Sequence, residues 1–432
     1  MLDSDLPSPS FVVDLDRVRS NTERMRGEGG KNNLRPHVKT HKTLEGCKQQ
    51  VGNETIEGKI VCSTLKEAEF FSNEYADILY GVILEPSKYI RAWQLHLKLP
   101  SFSILLDSLE GVESFASFIS TQLSKFSIID QSSDVFMQAA RRVSVFLAVD
   151  ATGYKREGFS LDNNLDREID IDEKHPIIST ALAIKNSRRL RLGGIYSHSG
   201  NSYNSCVDLA CSLSTAAAVS SISSHKDAKM NALVIAERER DLMVLLSEKL
   251  QSFGVTIPII SIGATPSISA LVESMSLKSS TILPQIEYHP GNYIFYDRQQ
   301  VESGSCSLDD IACYVVARVL ARYPDRNEFL IDAGGCALHK DLAGLHDGTY
   351  GCLVDNPSLV IKKLTQEVAV IGTLGGEQID LTAYPPGKVV RIYPNHSCMT
   401  AACHEVYHVV EGVKDSNGSR TVINMWKPCK FW

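Results

Sequence analysis

Short apolar runs rich in β-branched residues alternate with longer helical patterns over roughly the first 290 residues of this chain. Such alternation is typical of βαβ units, in which helices connect parallel strands. The predicted strands are 35–39, 59–62, 78–82, 102–106, 143–149, 192–197, 257–262 and 281–288. Eight parallel strands with crossover helices predict a TIM barrel, a fold that commonly takes about 250 residues. The alternative is an open doubly wound sheet, but no Gly-x-Gly-x-x-Gly turn follows the first strand to favour it.

The pattern changes after residue 298. Beyond it, strands joined by Gly, Pro and Asn turns are predicted at 311–320, 328–332, 388–393, 406–410 and 421–425. We therefore expect an α/β protein with a TIM (β/α)8 barrel over 11–298 and a C-terminal mainly-β domain over 299–432. Residues 1–10 form an extended segment that can join the β domain. The polar stretch 221–240 is predicted to be an exposed helix on the barrel surface.

Charge and composition exclude several classes of partner. The chain has 44 Lys and Arg against 51 Asp and Glu, so no basic excess favours nucleic acid or an anionic membrane surface. No apolar run reaches the roughly 18 residues of a membrane span, and no basic region followed by an apolar stretch marks a secretory signal. The 11 cysteines lack a framework spacing, which is typical of reduced thiols in the cytoplasm. Most, such as Cys62 and Cys336, lie in apolar runs and are predicted to be buried.

Residues 35–42, Arg-Pro-His-Val-Lys-Thr-His-Lys, crowd cations and imidazoles onto the end of the first predicted strand. Neighbouring positive charges lower the pKa of a lysine because they disfavour the protonated amine. A neutral lysine amine attacks aldehydes, so Lys39 is predicted to hold a carbonyl cofactor. The alternative is a basic loop that is only solvated.

A second motif follows the seventh predicted strand. In a parallel barrel the catalytic groups come from the C-terminal ends of different strands. Gly263-Ala264-Thr265-Pro266 stands where barrels often bind phosphate, and Gly263 and Thr265 are the predicted contacts. The same tetrapeptide is also typical of an ordinary turn. Together with Lys39 it predicts an aldehyde cofactor with a phosphate group, for which pyridoxal phosphate is the candidate.

Further cofactor contacts are predicted after the fifth, sixth and eighth strands. His198 would stack on the cofactor ring and Arg156 would bond its phenolate oxygen. Alternatively, His198 is a satisfied core histidine and Arg156 braces its loop through an ion pair. Tyr203 and Tyr293 lie in the segments after the sixth and eighth strands and complete the predicted set.

The β domain carries a candidate metal pair, His396 and Cys398. On an extended chain, side chains at positions i and i+2 point to the same face, so imidazole and thiol are expected to converge. Nitrogen and sulfur ligands suit zinc, whereas a soft thiolate disfavours magnesium and calcium. Two protein ligands leave open positions, which is typical of a catalytic metal. The alternative is a buried cysteine beside a loop histidine.

These residues together resemble the metal-dependent D-serine dehydratases of the fold-type III pyridoxal phosphate enzymes, especially the fungal type. The likeness covers nearly the whole chain. It comprises, in order, 9–14, 35–42, 63–69, 155–158, 195–203, 263–266, 290–293, 332–334 and the His396/Cys398 pair. The family usually has a histidine after the Gln-Glu pair of the β domain, whereas Val368 stands at that position here. Whatever that histidine contributes is absent from this chain.

The resemblance implies an alanine-racemase-like barrel with a β domain, and a homodimer. It implies that Lys39 forms the imine, that Arg156 lies near the ring oxygen and His198 against the ring, and that His396 and Cys398 bind zinc. It also implies elimination of water from D-serine to give pyruvate and ammonia, with D-threonine as a further candidate substrate. The D configuration comes only from the resemblance.

The two predicted cofactors suit this elimination. Pyridoxal phosphate stabilises a carbanion at the α-carbon, and Lys39 is a plausible base. Hydroxide is a poor leaving group, but zinc lowers the pKa of a bound water from about 15.7 to about 7. The alternatives are a metal-dependent D-threonine aldolase, in which an aspartate usually replaces the cysteine ligand, and a non-catalytic pyridoxal phosphate carrier, which would be a lone barrel.

Overall fold

The computed structural model describes residues 1–27, 33–52, 58–126, 139–161, 169, 171–204, 225–274, 284–345, 347–416 and 418–432. The chain divides into two compact units. The first, called the β unit here, comprises Met1–Met25, Thr40–Gln49 and Asn292–Lys430. The second, called the barrel unit, comprises Arg26–Lys39, Gln50–Gly291 and Phe431–Trp432.

The secondary structure alternates between strands and helices up to β9 and is mainly β beyond it. The strands are β1 (Ser10–Asp14), β2 (Lys59–Cys62), β3 (Asp77–Ile83), β4 (Ser101–Leu106), β5 (Val143–Asp150), β6 (Phe159–Ser160), β7 (Leu190–Ser197), β8 (Ile259–Ile262), β9 (Gln285–Tyr288), β10 (Cys313–Tyr323), β11 (Glu328–Ile331), β12 (Gly351–Leu353), β13 (Val360–Leu364), β14 (Ala369–Gly372), β15 (Val389–Pro394), β16 (Tyr407–Glu411) and β17 (Thr421–Trp426). The α-helices are α1 (Leu15–Arg26), α2 (Leu44–Val51), α3 (Leu65–Phe71), α4 (Tyr89–Lys98), α5 (Leu109–Phe126), α6 (Pro176–Asn186), α7 (His225–Ser252), α8 (Thr265–Glu273), α9 (Arg298–Glu302), α10 (Gly335–Leu338) and α11 (Ser397–Ala402).

The barrel unit contains a parallel sheet in the order β2-β3-β4-β5-β7-β8-β9. The segment 34–38 bridges its two edges, because Leu34 pairs with Tyr288 and His37 with Val61, both in parallel. This segment takes the place of the first strand, although it forms single bridges rather than a continuous ladder. The predicted TIM barrel fold is confirmed.

A buried cluster in the barrel unit draws one apolar side chain from each of five strands. Val61, Leu79, Leu105, Phe146 and Tyr196 form one buried cluster, and each comes from a different strand. Because all these strands run in parallel, their carboxyl ends meet at one rim, which is where barrels position catalytic groups.

The β unit is a nine-stranded sheet in the order β11-β14-β13-β12-β15-β10-β1-β16-β17. Strand β1 lies inside it, antiparallel to β10 and parallel to β16, and all five of its residues are buried. The sequence assigned residues 11–298 to the barrel, whereas in the structure Met1–Met25 and Thr40–Gln49 belong to the β unit. The difference arises because the partners of β1 lie about 300 and 400 residues further along the chain.

Two local predictions need correction. The stretch 221–240 was expected to be an exposed helix, but its described part opens α7, where Ala228, Ile235 and Glu239 are fully buried. Residues 221–224 lie outside the described part of the chain. Cys62 is buried as expected, whereas Cys336 is exposed. Of the helices in the described part of the chain, none combines the length and hydropathy that a bilayer crossing requires.

Candidate active site

Lys39 follows the bridging segment directly and lies in a turn at residues 38–41. Its backbone N–H donates a hydrogen bond to Nδ1 of His37 at 3.3 Å. The positive charge of Lys39 lowers the pKa values of two imidazoles, those of His198 and His289. The predicted lysine therefore acts electrostatically on the carboxyl-end rim of the barrel.

His198 comes immediately after β7, and its Nδ1 lies 3.1 Å from the carbonyl oxygen of Gly263. Burial is the main reason that the pKa of His198 falls well below its usual value, and the charges of Lys39 and Arg156 lower it further. Burial and the same two charges lower the pKa of His289 to about 3. Both imidazoles are therefore neutral at physiological pH, beside two cations.

His289 offers an unused polar atom at this rim. Its ring stacks on Tyr196 with centroids 4.2 Å apart and planes 8° apart. Its Nε2 is buried and has no hydrogen-bond partner among the described residues. A buried polar group without a partner is costly, so this nitrogen is a candidate contact for a bound molecule. The sequence analysis did not single out His289, although it directly follows β9.

Arg156 lines a narrow cleft with Asp150, Tyr196 and His198. It also forms an ion pair with Glu157, which immediately follows it. Asp150 shapes the loop by accepting the backbone N–H groups of Tyr154 and Lys155 at 2.9 and 2.8 Å. Both predicted roles of Arg156 are thus compatible with its position, because the guanidinium braces its loop and faces the cleft beside His198.

The predicted phosphate loop connects β8 to α8. Gly263 has a φ of +114°, and a Cβ there would lie 2.5 Å from the Ile268 side chain, so only glycine fits. Thr265 is buried at the first position of α8, and its hydroxyl accepts the N–H of Gly291 at 3.3 Å. Ser267 Oγ accepts the N–H of Ala264 at 2.9 Å. A preorganised turn leading into a helix N-terminus is a favourable environment for an anion.

The two predicted tyrosines lie in different units. Tyr203 is in the 3-10 helix Gly200–Asn204 of the barrel unit, with its ring centroid 6.5 Å from that of His198. Tyr293 is in the 3-10 helix Asn292–Ile294 of the β unit, where it is fully buried.

Glu239 is a site residue that the sequence analysis missed. It is fully buried on α7, and its Oε1 accepts a hydrogen bond from Ser197 Oγ at 2.9 Å. Burial raises the pKa of Glu239 to about 8, against the opposing effect of hydrogen bonds from Ser197, Ser199 and the backbone of Gly263. The carboxyl group thus holds the residues on both sides of His198 together with the phosphate loop. The only sequence feature that indicates burial of Glu239 is its spacing of four residues from the apolar Ile235, which places both side chains on one helix face.

The predicted metal pair lies in the β unit at the start of α11. His396 is the N-cap residue, and Cys398 is the second residue of the helix. The predicted extended geometry was therefore wrong, but the two side chains still converge, because His396 hydrogen-bonds Cys398. Burial lowers the pKa of His396, but Cys398 and Asp341 outweigh this effect and raise it to about 10. The site thus favours a positive charge where a metal cation is predicted.

Several polar groups support this pair. Asp341 Oδ2 lies 2.6 Å from His396 Nδ1, and Thr40 Oγ1 lies 3.1 Å from Cys398 Sγ. Asp297 is fully buried and accepts the backbone N–H and the hydroxyl of Ser397 at 2.8 and 3.0 Å, which fixes the turn between the predicted ligands. Within the described ranges, no group of three or more His, Cys, Asp or Glu side chains is placed to share a metal ion.

Each of the two units fits the group predicted for it. In the barrel unit, two cations, neutral imidazoles, an unpartnered His289 Nε2 and a helix N-terminus suit an anionic cofactor that carries a ring and a phosphate. In the β unit, nitrogen and sulfur donors with a carboxylate behind the imidazole suit zinc.

Val368, which stands where the resemblance predicts a histidine, lies in the turn between β13 and β14. Thr365 N–H donates to Val368 O at 2.9 Å across this turn. The turn packs against Gly334, where a Cβ would lie 2.3 Å from the carbonyl oxygen of Gln366. The backbone of the turn is therefore well defined, and the side chain of Val368 offers no metal ligand.

Comparison with known proteins agrees with this arrangement. The family model described as "Putative serine dehydratase domain" matches residues 312–410. D-serine dehydratase of Dictyostelium discoideum is 33% identical over 440 residues, which cover 99% of this chain and 98% of that protein. The structure of D-threo-3-hydroxyaspartate dehydratase from Delftia sp. HT23 has a TM-score of 0.76 and 27% identity, with 99% of each chain covered.

Solved variants of a D-threo-3-hydroxyaspartate dehydratase replace a histidine and a cysteine two positions apart, and the cysteine variant is in a metal-free form. D-threonine aldolase from Filomicrobium marinum, at 18% identity and a TM-score of 0.73 over 99% of this chain and 97% of that one, shares the fold. The identity of 33% over nearly the full length of both proteins shows that this chain belongs to the D-serine dehydratase family.

Proposed function

We propose that this protein eliminates water from D-serine to give pyruvate and ammonia, with pyridoxal phosphate and zinc as cofactors. One observation carries the proposal beyond family membership. Thr40 Oγ1 lies 3.1 Å from Cys398 Sγ, and Thr40 directly follows Lys39 in the chain. The Cα atoms of consecutive residues are about 3.8 Å apart across a trans peptide bond. The predicted imine lysine thus immediately precedes, in the chain, a residue that contacts the predicted metal ligand Cys398.

Residues of the barrel unit would hold pyridoxal phosphate. Lys39 would bind its carbonyl carbon, Gly263 and Thr265 its phosphate, and His198 and Arg156 its ring and ring oxygen, with Tyr203 and Tyr293 as further contacts. When bound, this cofactor supplies an electron sink for the carbanion at the substrate α-carbon. The neutral state of His198 supports a stacking role, since burial and neighbouring cations disfavour a proton on its ring.

His396 and Cys398 would hold the zinc ion. When bound, the ion supplies Lewis acidity that makes the substrate hydroxyl a better leaving group. Asp341 accepts the Nδ1 proton of His396, which leaves Nε2 as the ligand atom and fixes the ring orientation. Asp297 holds Ser397 and thereby the spacing between the two ligands.

The remaining step, removal of the proton from the substrate α-carbon, is assigned to Lys39. Its amine, once released, would take the proton from the α-carbon, and the proton would stay on the ammonium form.

The test is pyruvate release from D-serine by the purified protein, with and without a chelator. We expect pyruvate with zinc present, its loss on chelation while the absorbance of bound cofactor persists, and recovery when zinc is added back. Cys398→Ala should match the chelated protein. Cys403→Ala, at the end of the same helix region, serves as the matched control and should retain turnover.

Other outcomes would overturn the proposal. Glycine and acetaldehyde from D-threonine, without pyruvate from D-serine, would identify a D-threonine aldolase. Bound cofactor without turnover of either amino acid would identify a carrier.

We also infer a homodimer in a reducing, cytoplasmic environment. The dimer rests on the family resemblance, and size-exclusion chromatography with light scattering tests it. The 11 cysteines of the chain lack the regular spacing of a disulfide framework, which supports a reducing compartment.

A further inference from the structure

Five arginines gather at the amino-terminal ends of two neighbouring strands of the barrel. Arg141 and Arg142 directly precede β5, while Arg188, Arg189 and Arg191 surround the start of β7. The two strands pair in parallel, with Val143 opposite Leu190 and Ser144 opposite Arg191. The arginine-rich segments therefore lie side by side, at the end of the barrel opposite the carboxyl-end rim.

An open cavity of about 260 Å³ lies among these residues. It is lined by three of the arginines, Arg141, Arg142 and Arg191, and also by His96, Phe102 and Ser144. Its lining in the described part of the chain includes no carboxylate. Its walls thus combine positive charge, a hydroxyl and an aromatic edge.

Arg141 is held rigidly at this cavity. Its terminal nitrogens donate to the carbonyl oxygens of His96, Leu99 and Pro100, at 3.0, 2.8 and 2.5 Å, around the C-terminus of α4. Its Nε is buried and has no hydrogen-bond partner in the described ranges. The guanidinium is therefore fixed in position with one donor unused.

The positive charge of the cluster is poorly compensated. Asp77 acts on Arg191, but this carboxylate already bonds Arg35 at 2.7 Å. His96 adds no further positive charge, because burial and the charge of Arg141 lower its pKa to about 4 and leave it neutral. Burial lowers the pKa of Arg191, and the like charges of Arg142 and Arg141 lower it further, against the opposing charge of Asp77. In a chain with a net charge of −7, five adjacent arginines are therefore a costly arrangement without a ligand.

We propose that this cavity binds a small molecule through a phosphate or diphosphate group. Guanidinium groups present paired donors that match phosphate oxygens in a bidentate geometry. Arg141 supplies a fixed donor, Arg142 and Arg191 supply charge from the two strands, and Ser144 supplies a hydroxyl. This site is separate from the predicted cofactor-phosphate loop after β8, which lies at the carboxyl ends of the strands.

The experiment uses the full-length protein loaded with pyridoxal phosphate, so that the cofactor site is filled, and pyrophosphate as the probe. Thermal unfolding is compared with sodium chloride at equal ionic strength. We expect saturating pyrophosphate to raise Tm by about 5 °C, since a ligand that binds only the native state stabilises it. The double variant Arg142→Gln/Arg191→Gln should lose most of this shift. Arg191→Lys keeps the positive charge but lacks the paired N–H donors of a guanidinium group, so it should lose part of the shift.

Arg188→Gln is the matched control, because Arg188 belongs to the same cluster but is exposed and does not line the cavity. It should retain the full shift. Without pyrophosphate, the double variant should unfold at the same or a higher temperature than the parent, because it removes like charges. A lower Tm without the probe, or an equal pyrophosphate shift in all variants, would overturn the proposal. Pyruvate formation from D-serine is measured in parallel. It tests the proposed activity separately from pyrophosphate binding at the arginine cluster, so that failure of one is not mistaken for failure of the other.

Discussion

His396 Nδ1 donates a hydrogen bond to Asp341 Oδ2 at 2.6 Å, although 55 positions separate the two residues in the chain. Carboxylates behind a metal-ligating histidine fix its tautomer and raise its basicity, and their loss typically weakens metal binding about 10–100-fold. We therefore expect Asp341→Asn to weaken zinc binding by this factor. Competition with a chromophoric chelator measures the affinity, and excess zinc should restore turnover.

The matched control is Asp325→Asn, an exposed aspartate in a different segment of the β unit. It should leave zinc affinity unchanged. If Asp341→Asn bound zinc as tightly as the parent protein, His396 would not be the ligand that this hydrogen bond orients.

Lys39 provides a second prediction. Lys39→Ala should lower pyruvate formation by at least about 10³-fold, because it removes both the covalent attachment and the proposed base. The absorbance spectrum of added pyridoxal phosphate should match that of free aldehyde. Lys174→Ala, an exposed lysine of the barrel unit, is the control and should behave as the parent. A Lys39→Ala protein that retained turnover would exclude this residue as the base.

The sequence predicted the barrel well because each strand has its own local signal. Runs such as 143–149 are apolar and β-branched throughout, and β5 (Val143–Asp150) is buried at every position. The pair His396/Cys398 was likewise visible, since two ligand-type residues lie two positions apart. The geometry of the pair could not be predicted from the sequence, because a helix begins at Ser397 where a continued strand was expected.

The features that the sequence did not predict depend on contacts between residues that are far apart in the chain. Asp341 and Glu239 lie 55 and 42 positions from the residues they bond, so no local pattern indicates their roles. The domain boundary failed for the same reason, because β1 pairs only with distant strands. Arg35 was interpreted as one of the cations around Lys39, but in the structure its charge is taken up by Asp77 and Glu287.

Arg35 provides a third prediction. Its side chain is 2% exposed, and it bonds Glu287 and Asp77 at 2.7 Å each. Burial would lower the pKa of Arg35, but these two carboxylates raise it above its ordinary value. Removing one partner of a buried ionic group leaves uncompensated charge and costs about 3–5 kcal/mol. Arg35→Met should therefore lower the free energy of unfolding by this amount.

Chemical denaturation measures this loss. Arg19→Met is the control, because Arg19 forms its ion pair with Glu411 on the surface, where such pairs contribute at most about 1 kcal/mol. Equal losses in both variants would mean that the buried network contributes no more than a surface pair.

Glu239 gives the fourth prediction, a pH dependence of stability. Burial raises the pKa of Glu239 to about 8, whereas an unfolded glutamate titrates near 4.5. Between these values the native state binds a proton that the unfolded state lacks, so stability falls as pH rises. The contribution is at most about 5 kcal/mol, from 1.36 kcal/mol per pKa unit.

Glu239→Gln keeps the shape and hydrogen-bonding capacity of the protonated side chain but cannot ionise. The variant should therefore lose less stability than the parent between pH 5 and pH 8, when the midpoint of denaturation is measured at both values. Glu248→Gln, at an exposed position of the same helix, removes one carboxylate without removing a buried proton and should follow the parent. If Glu239→Gln also followed the parent, Glu239 would already be ionised in the native protein, and its carboxylate would have to be compensated by neighbouring positive charge.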